Sequence, residues 1–249
     1  MTVTPLSDGA AAPSLADRLR SILFALLFYP VTVAIVILYL PLLLLPTRWS
    51  QPLCYSWIRL FLGMSRAVLG VRYRVSVDPE AAAAIAEGPV IYASKHQSMW
   101  ETLAFNELLG RPAFVLKREL ERIPLFGLYL KTFGMVAVDR AAGASALKGM
   151  VRQAAEQTAL GRSIVIYPQG TRVAPGDHKP YLPGVAALYQ KLDAPVVPVT
   201  LDSGRYWPRR TLVKRAGVIE VRLLAPIPPG LDRKTFLRTL EERIESACG

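Results

Sequence analysis

Two short segments carry side chains that could do chemistry together. The first is SKHQSMWETLAF, Ser94–Phe105, in which His96 and Glu101 stand five residues apart. An imidazole whose Nδ1–H is held by a carboxylate has a fixed tautomer and an Nε2 free to act as a general base. Five residues of continuous helix turn about 500°, which leaves two side chains roughly 140° apart. His96 and Glu101 therefore meet only if His96 lies in a loop and Glu101 in the first turn of the next helix. Ser98 suits that placement as an N-cap, with Glu101 at N3. The same spacing is also a capping box, in which the carboxylate simply bonds the Ser98 backbone N–H. The second segment is YPQGTR, Tyr167–Arg172. Gly170 permits a tight turn or a close approach to a ligand. Thr171 and Arg172 offer a hydroxyl and a planar guanidinium, both good phosphate ligands. Lys117, in VLKREL, and Asp139-Arg140 add further cations. The plain alternative for these groups is an ordinary turn and solvated surface charge.

The elements around these segments decide between the readings. From about Val71 onward, short apolar runs alternate with longer helical patterns. The runs are Val71–Val77, which alternates like an edge strand, then Pro89–Ser94, Ala113–Lys117, Met135–Val138, Ser163–Pro168, Ala194–Leu201 and Gly217–Leu224. Helical spacing covers Met99–Leu109, Glu119–Phe133, Ala144–Leu160, Gly184–Leu192 and Asp232–Ala247. Continuous apolar strands separated by helices predict an α/β domain, a mixed and largely buried sheet flanked by helices. Each candidate segment follows a strand directly. If those strands are parallel, His96 and three cations share one edge of the sheet, where such folds keep their chemistry.

Ahead of this domain, Ile22–Leu45 contains no charged residue. As a helix it would be about 36 Å long, against a hydrocarbon core of about 30 Å. It is too long for a signal-peptide h-region, and no A-x-A site follows it. Pro30 and Pro41 lie inside it, so a kinked span and a re-entrant hairpin both fit; a buried core helix is the bland alternative. Pro52–Val71 reads as a second, interfacial helix. Arg48, Arg59, Arg66, Arg72 and Arg74 follow the run and place the later domain on the cytoplasmic side of a cell membrane. The expected organisation is a mobile tail over 1–20, a membrane-anchoring helical segment over 21–70 and an α/β domain over 71–249.

The chain has 249 residues, 52% hydrophobic and 20% charged, with a net charge of +11. That excludes a disordered chain and a polytopic membrane protein, and it favours an anionic partner. Nucleic acid is a poor fit, because the chain has an apolar anchor and neither a basic helix nor an aromatic RNA-binding signature. Two cysteines, Cys54 and Cys248, can build neither a disulfide framework nor a zinc site, and no metal is expected.

Taken in order, the motifs resemble those of the glycerolipid acyltransferases typified by 1-acyl-sn-glycerol-3-phosphate acyltransferase. His96…Glu101 resembles the first family motif, His-x4-Asp, with Glu in place of Asp. Lys117-Arg118-Glu119-Leu120, Pro124–Gly127, Gly134 and Asp139-Arg140 resemble the second. Tyr167-Pro168-Gln169-Gly170-Thr171-Arg172 resembles Phe-Pro-Glu-Gly-Thr-Arg, and Val197-Pro198-Val199 resembles the fourth motif. Gln169 keeps hydrogen-bonding capacity but deletes one negative charge.

The resemblance implies that His96, oriented by Glu101, takes a proton from a glycerol hydroxyl, which attacks the thioester of acyl-CoA or acyl-carrier protein. Lys117, Arg140, Gly170, Thr171 and Arg172 would hold the acceptor phosphate. It implies no cofactor beyond the acyl co-substrate and no acyl-enzyme. The expected product is phosphatidic acid from 1-acyl-sn-glycerol-3-phosphate. Glycerol-3-phosphate or a lyso amino-acid-containing lipid is the alternative acceptor. A non-catalytic, membrane-tethered phospholipid-binding protein is the alternative class. Arg205, Arg209, Arg210, Lys214 and Arg215 would add attraction to anionic headgroups.

Overall fold

The computed structural model describes residues 13–139 and 143–248. Seven strands form one mixed sheet in the order β1-β7-β6-β2-β5-β3-β4. They are β1 (Val71–Val77), β2 (Ile91–Ser94), β3 (Ala113–Lys117), β4 (Val136–Val138), β5 (Ile164–Ile166), β6 (Val196–Leu201) and β7 (Gly217–Leu223). The pairs β6·β2, β2·β5, β5·β3 and β3·β4 are all parallel. Their C-terminal ends therefore lie on one edge, which is what the candidate site requires. Only β6·β7 is antiparallel among the named pairs, and β7 then takes β1 as a parallel edge strand.

Alternate residues of the buried strands feed two cores. Tyr92, Val165, Val197 and Val199 face one side, while Ile91, Ala93, Ile164 and Ile166 face the other. The second side is covered by α6 (Gly143–Ala159), α7 (Pro183–Leu192) and α9 (Arg233–Cys248), through residues such as Met150, Leu188, Phe236 and Leu240. The first side takes α4 (Trp100–Leu108), through Trp100 and Phe105, together with two N-terminal helices. Three short elements complete the fold: α3 (Pro79–Glu87), α5 (Phe126–Thr132) and the single turn α8 (Ser203–Tyr206).

The N-terminal helices are α1 (Leu15–Leu38) and α2 (Thr47–Ala67). Phe24 and Phe28 face Phe61, while Trp57 Nε1 donates to Thr32 Oγ1 at 3.0 Å. Rising positions on α1 thus meet falling positions on α2, so the pair is an antiparallel hairpin. A 3₁₀ turn at Leu40–Leu44, opened by Pro41, reverses the chain. The two helices thus pack as a helical hairpin. Helix α1 also starts earlier than the sequence pattern suggested, inside the stretch read as a tail. Ser14 and Asp17 form a reciprocal capping box that fixes the start at Leu15. Residues 1–12 lie outside the described residues.

The segment Leu15–Leu44 is long and apolar enough to cross a membrane: its most apolar 18-residue window has a mean hydropathy of 2.6 and is 17% buried. It is therefore not a buried core helix. Leu19, Leu23, Leu26 and Val33 are exposed, whereas Phe24 and Phe28 belong to the core of the sheet domain.

Two further differences have local causes. The helix read over Glu119–Phe133 is broken by Pro124 into a 3₁₀ turn, Arg118–Arg122, and α5. Helix α3, which no apolar period in the sequence marked, is built on Ala81–Ala84, capped by Asp78 and started by Pro79.

Candidate active site

Strand β2 ends at Ser94 and the chain runs through a loop to α4 at Trp100. His96 and Glu101 sit on either side of that junction, and His96 Nδ1 lies 2.8 Å from Glu101 Oε1. The same oxygen accepts the backbone N–H groups of Gln97, at 2.8 Å, and Ser98, at 2.7 Å. Glu101 Oε2 accepts the hydroxyls of Ser98, at 2.8 Å, and Ser203, at 2.7 Å. Capping and orienting are thus performed at once by one carboxylate. The helix start is shifted by one residue from the expected box. Ser98 Oγ accepts the Trp100 N–H at 2.8 Å, and Met99 is the N-cap.

Five donors explain how a fully buried carboxyl stays charged. Burial alone would raise its proton affinity. The hydrogen bond and charge of His96, the Ser98 amide and the Ser203 hydroxyl outweigh burial and hold Glu101 below the usual carboxylate range. An ionised oxygen can only accept, so the His96 proton sits on Nδ1 and the lone pair on Nε2. Tyr167 fixes the plane of the ring. Its ring stacks on the imidazole at 3.9 Å with an interplanar angle of 16°. Burial, reinforced by the charge of Glu101, pushes the Tyr167 hydroxyl well above its ordinary pKa.

His96 opens onto a cavity of about 1020 Å³. Lys117, at the end of β3, lines it, as do Gly170, Thr171 and Arg172 after β5. Gly170 turns the chain there with φ of 66°, in the left-handed region. The edge shared by the parallel strands therefore collects the imidazole and these cations around one space. Arg140 lies outside the described residues; its neighbour Asp139 follows β4.

The far wall of the cavity is apolar and comes from the hairpin, through Ile35, Val36, Trp57 and Ile58 among others. Large apolar cavities with a few converging polar groups are the usual form of a ligand site.

Four features were not legible from the motifs. Arg209, grouped in sequence with a basic cluster, lines the same cavity and donates to the Arg172 carbonyl at 3.3 Å. Ser203 lies 102 residues from Glu101, and no local spacing could announce the contact. The Tyr167 stack needed the β2·β5 register. The hairpin wall needed the packing of α1 and α2 on the domain.

Comparison with known proteins gives three findings. The family model described as Acyltransferase matches residues 74–202, just over half of the chain. The 1-acyl-sn-glycerol-3-phosphate acyltransferase of Pseudomonas aeruginosa is 35% identical over 166 residues, covering 67% of this chain and 63% of that protein. The chloroplastic protein of that name from Brassica napus is 27% identical over 222 residues, covering 83% of this chain and again 63% of the relative. The match thus spans a little under two thirds of the length of each. The crystal structure of the 1-acyl-sn-glycerophosphate acyltransferase PlsC from Thermotoga maritima superposes with a TM-score of 0.70 at 20% identity. It covers 93% of this chain and 96% of that one, so the two share a fold.

Proposed function

Because the chain belongs to the acyltransferase family, we propose that it transfers a fatty acyl group from a thioester to the sn-2 hydroxyl of 1-acyl-sn-glycerol-3-phosphate, giving phosphatidic acid. One observation carries the reading. An imidazole held by a carboxylate, and the cations Lys117 and Arg172, line a single cavity whose other wall is apolar. A lysophosphatidic acid has that same division, a phosphate and a hydroxyl at one end and a hydrocarbon chain at the other.

In the proposed reaction His96 Nε2 takes the proton of the acceptor hydroxyl as its oxygen attacks the thioester carbonyl. The tetrahedral intermediate collapses, the carbon–sulfur bond breaks, and the imidazolium returns the proton to the departing thiolate. Glu101 stabilises the imidazolium throughout. Lys117, Thr171 and Arg172, with Arg140, bind the acceptor phosphate and so hold its hydroxyl near His96. No cofactor beyond the acyl thioester enters this scheme, and acyl-CoA and acyl-carrier protein are both chemically competent donors.

The same reading gives the hairpin a place. Its outer residues Leu19, Leu23, Leu26 and Val33 are exposed, while its inner ones wall the cavity. We place the hairpin in one leaflet of the cell membrane, with the domain on the cytoplasmic side, so that lysolipid reaches the cavity from the bilayer. The arginines that follow the apolar run favour that side.

The test is transfer of labelled acyl groups by the purified full-length protein in phospholipid vesicles, with products separated by thin-layer chromatography. Transfer from acyl-CoA or acyl-carrier protein to lysophosphatidic acid, in preference to glycerol-3-phosphate or other lysolipids, is the expected result. Binding without any transfer would overturn the reading. A companion expectation concerns the phosphate. Arg172→Ala should lower kcat/KM for lysophosphatidic acid about 10- to 100-fold, chiefly through KM, as expected for losing a charge-assisted hydrogen bond of about 1.5–3 kcal/mol. Steady-state kinetics with varied acceptor measures it.

A further inference from the structure

We infer that Ser203 is a positioning residue, which holds the Glu101 carboxylate against His96 Nδ1 from outside the loop that carries the pair. The inference rests on the reading of His96 as the general base and adds a residue to it.

The two oxygens of Glu101 are held differently. Oε1 receives three N–H groups from residues 96–98, all supplied by its own loop. Oε2 receives two hydroxyls, those of Ser98 and Ser203. Ser98 belongs to the same loop and also accepts the Trp100 amide. Among the described residues, only Ser203, with its 2.7 Å bond, reaches the carboxylate from elsewhere in the chain. Ser203 is fully buried, so solvent has no route to replace its O–H.

The turn that carries Ser203 is built to hold it there. Gly204 N–H donates to Gln97 Oε1 at 3.0 Å, a second tie between the same two segments. The approach is close enough that a Cβ on Gly204 would lie 2.8 Å from Pro175 Cδ and 3.0 Å from Gln97 Cβ. On one flank, Asp202 Oδ1 accepts the Glu220 amide of β7 at 2.9 Å. On the other, Trp207 N–H donates to the Ser203 carbonyl at 2.7 Å. The Trp207 ring is wedged edge-on against Phe24, at 5.5 Å, and lies 5.4 Å from Phe61. Ser203 is thus located by β7, by the His96 loop and by both helices of the hairpin.

Its chemical effect follows from the charge of the pair. With Glu101 ionised and the imidazole neutral, the dyad carries one negative charge in a buried site. Every donor to that carboxylate opposes uptake of a proton, whichever member of the dyad receives it. Removing the Ser203 hydroxyl therefore raises the proton affinity of the pair as a whole. It also frees Oε2 and loosens the aim of Oε1. The other titratable or charged groups nearby include Tyr167, whose hydroxyl burial keeps neutral, Asp202, whose carboxyl accepts Glu220 N–H, Arg205 on the same turn, and Lys95 beside His96, which is ion-paired with Glu245 at 2.7 Å. Lys117, Arg172 and Arg209 lie around the same cavity and are unchanged by the substitution.

The experiment compares the full-length wild type with Ser203→Ala, Ser203→Cys and His96→Ala in the same vesicle assay. It measures kcat, acceptor KM and the acid limb of kcat/KM against pH. Ser203→Ala is expected to lower kcat about tenfold, to leave acceptor KM within about twofold, and to move the acid limb up by about one pH unit. Ser203→Cys, whose thiol is a weaker donor, should fall between wild type and alanine on both measures. An unshifted acid limb in a folded Ser203→Ala protein would overturn the inference. Should the alanine variant not fold, an unshifted limb in Ser203→Cys would do so. If His96→Ala keeps full activity, the reading of His96 as base fails, whatever Ser203 does. If His96→Ala is inactive and the limb does not move, only the role of Ser203 fails.

Discussion

His96→Ala should reduce acyl transfer at saturating substrates by at least two decades while leaving a folded protein. General acid–base catalysis by a positioned side chain contributes about 10²–10⁴-fold, and no second base is needed if His96 supplies it. Folding should survive because the side chain is 14% exposed at the cavity wall and contributes one of five donors to Glu101. The Tyr167 ring loses its stacking partner, a modest effect of about 0.5–1.5 kcal/mol. Single-turnover rates together with thermal unfolding in vesicles would measure both. A variant that transfers acyl groups at the parental rate would remove His96 from the role of general base.

Glu101 should show the opposite balance, with its structural role exceeding its catalytic one. In Glu101→Ala the amides of Gln97 and Ser98 and the imidazole N–H lose their acceptor in a site without solvent. Each orphaned donor costs about 1–3 kcal/mol, so three cost about 3–9 kcal/mol together, a large share of the 5–15 kcal/mol typical of a whole domain. The expected result is a protein that unfolds early or does not accumulate. Glu101→Gln should behave differently. Its Oε1 can take the same three N–H groups, and its NH₂ can donate to Ser98 and Ser203 once their hydroxyls rotate. Stability should then fall by only about 1–2 kcal/mol, while the rate falls about 10²–10³-fold because nothing anionic stabilises the imidazolium. Parental activity in the glutamine variant would mean that the carboxylate is a helix cap and nothing more.

The same pair of proteins gives a pH signature. The Glu101 carboxyl is lowered in the folded state, so its ionisation adds stability above the unfolded carboxylate value of about 4.3. That contribution fades as the pH falls through the lower, folded value. Denaturant unfolding of wild type and Glu101→Gln should therefore converge on acidification and separate again near neutrality.

What could be read in the chain beforehand depended on how far apart the interacting residues are. Val71–Val77 and Ala113–Lys117 form strands with the bounds that their apolar patterns suggest, because alternation and continuous burial are local signals. The approach of His96 to Glu101 was legible for the same reason, since one loop and one helical turn contain both. Helix α3 was hidden because alanine satisfies a helix without marking a face. The antiparallel step between β6 and β7 depends on a loop from Trp207 to Ala216, whose path no periodicity describes. Ser203 was invisible because its partner is supplied by chain folding and not by spacing. Likewise, the apolar N-terminal run announced a long apolar helix. It did not announce that Phe24 and Phe28 would turn inward to join the core of the sheet.

That inward face has a consequence for anyone hoping to work with a water-soluble fragment. The hairpin is roof and foundation, not a leash. A chain begun near Val71 would uncover Trp207 and strip the apolar wall from the cavity beside His96, so grafting the remainder onto a foreign tether should yield an inert protein, even towards short-chain substrates that need no bilayer.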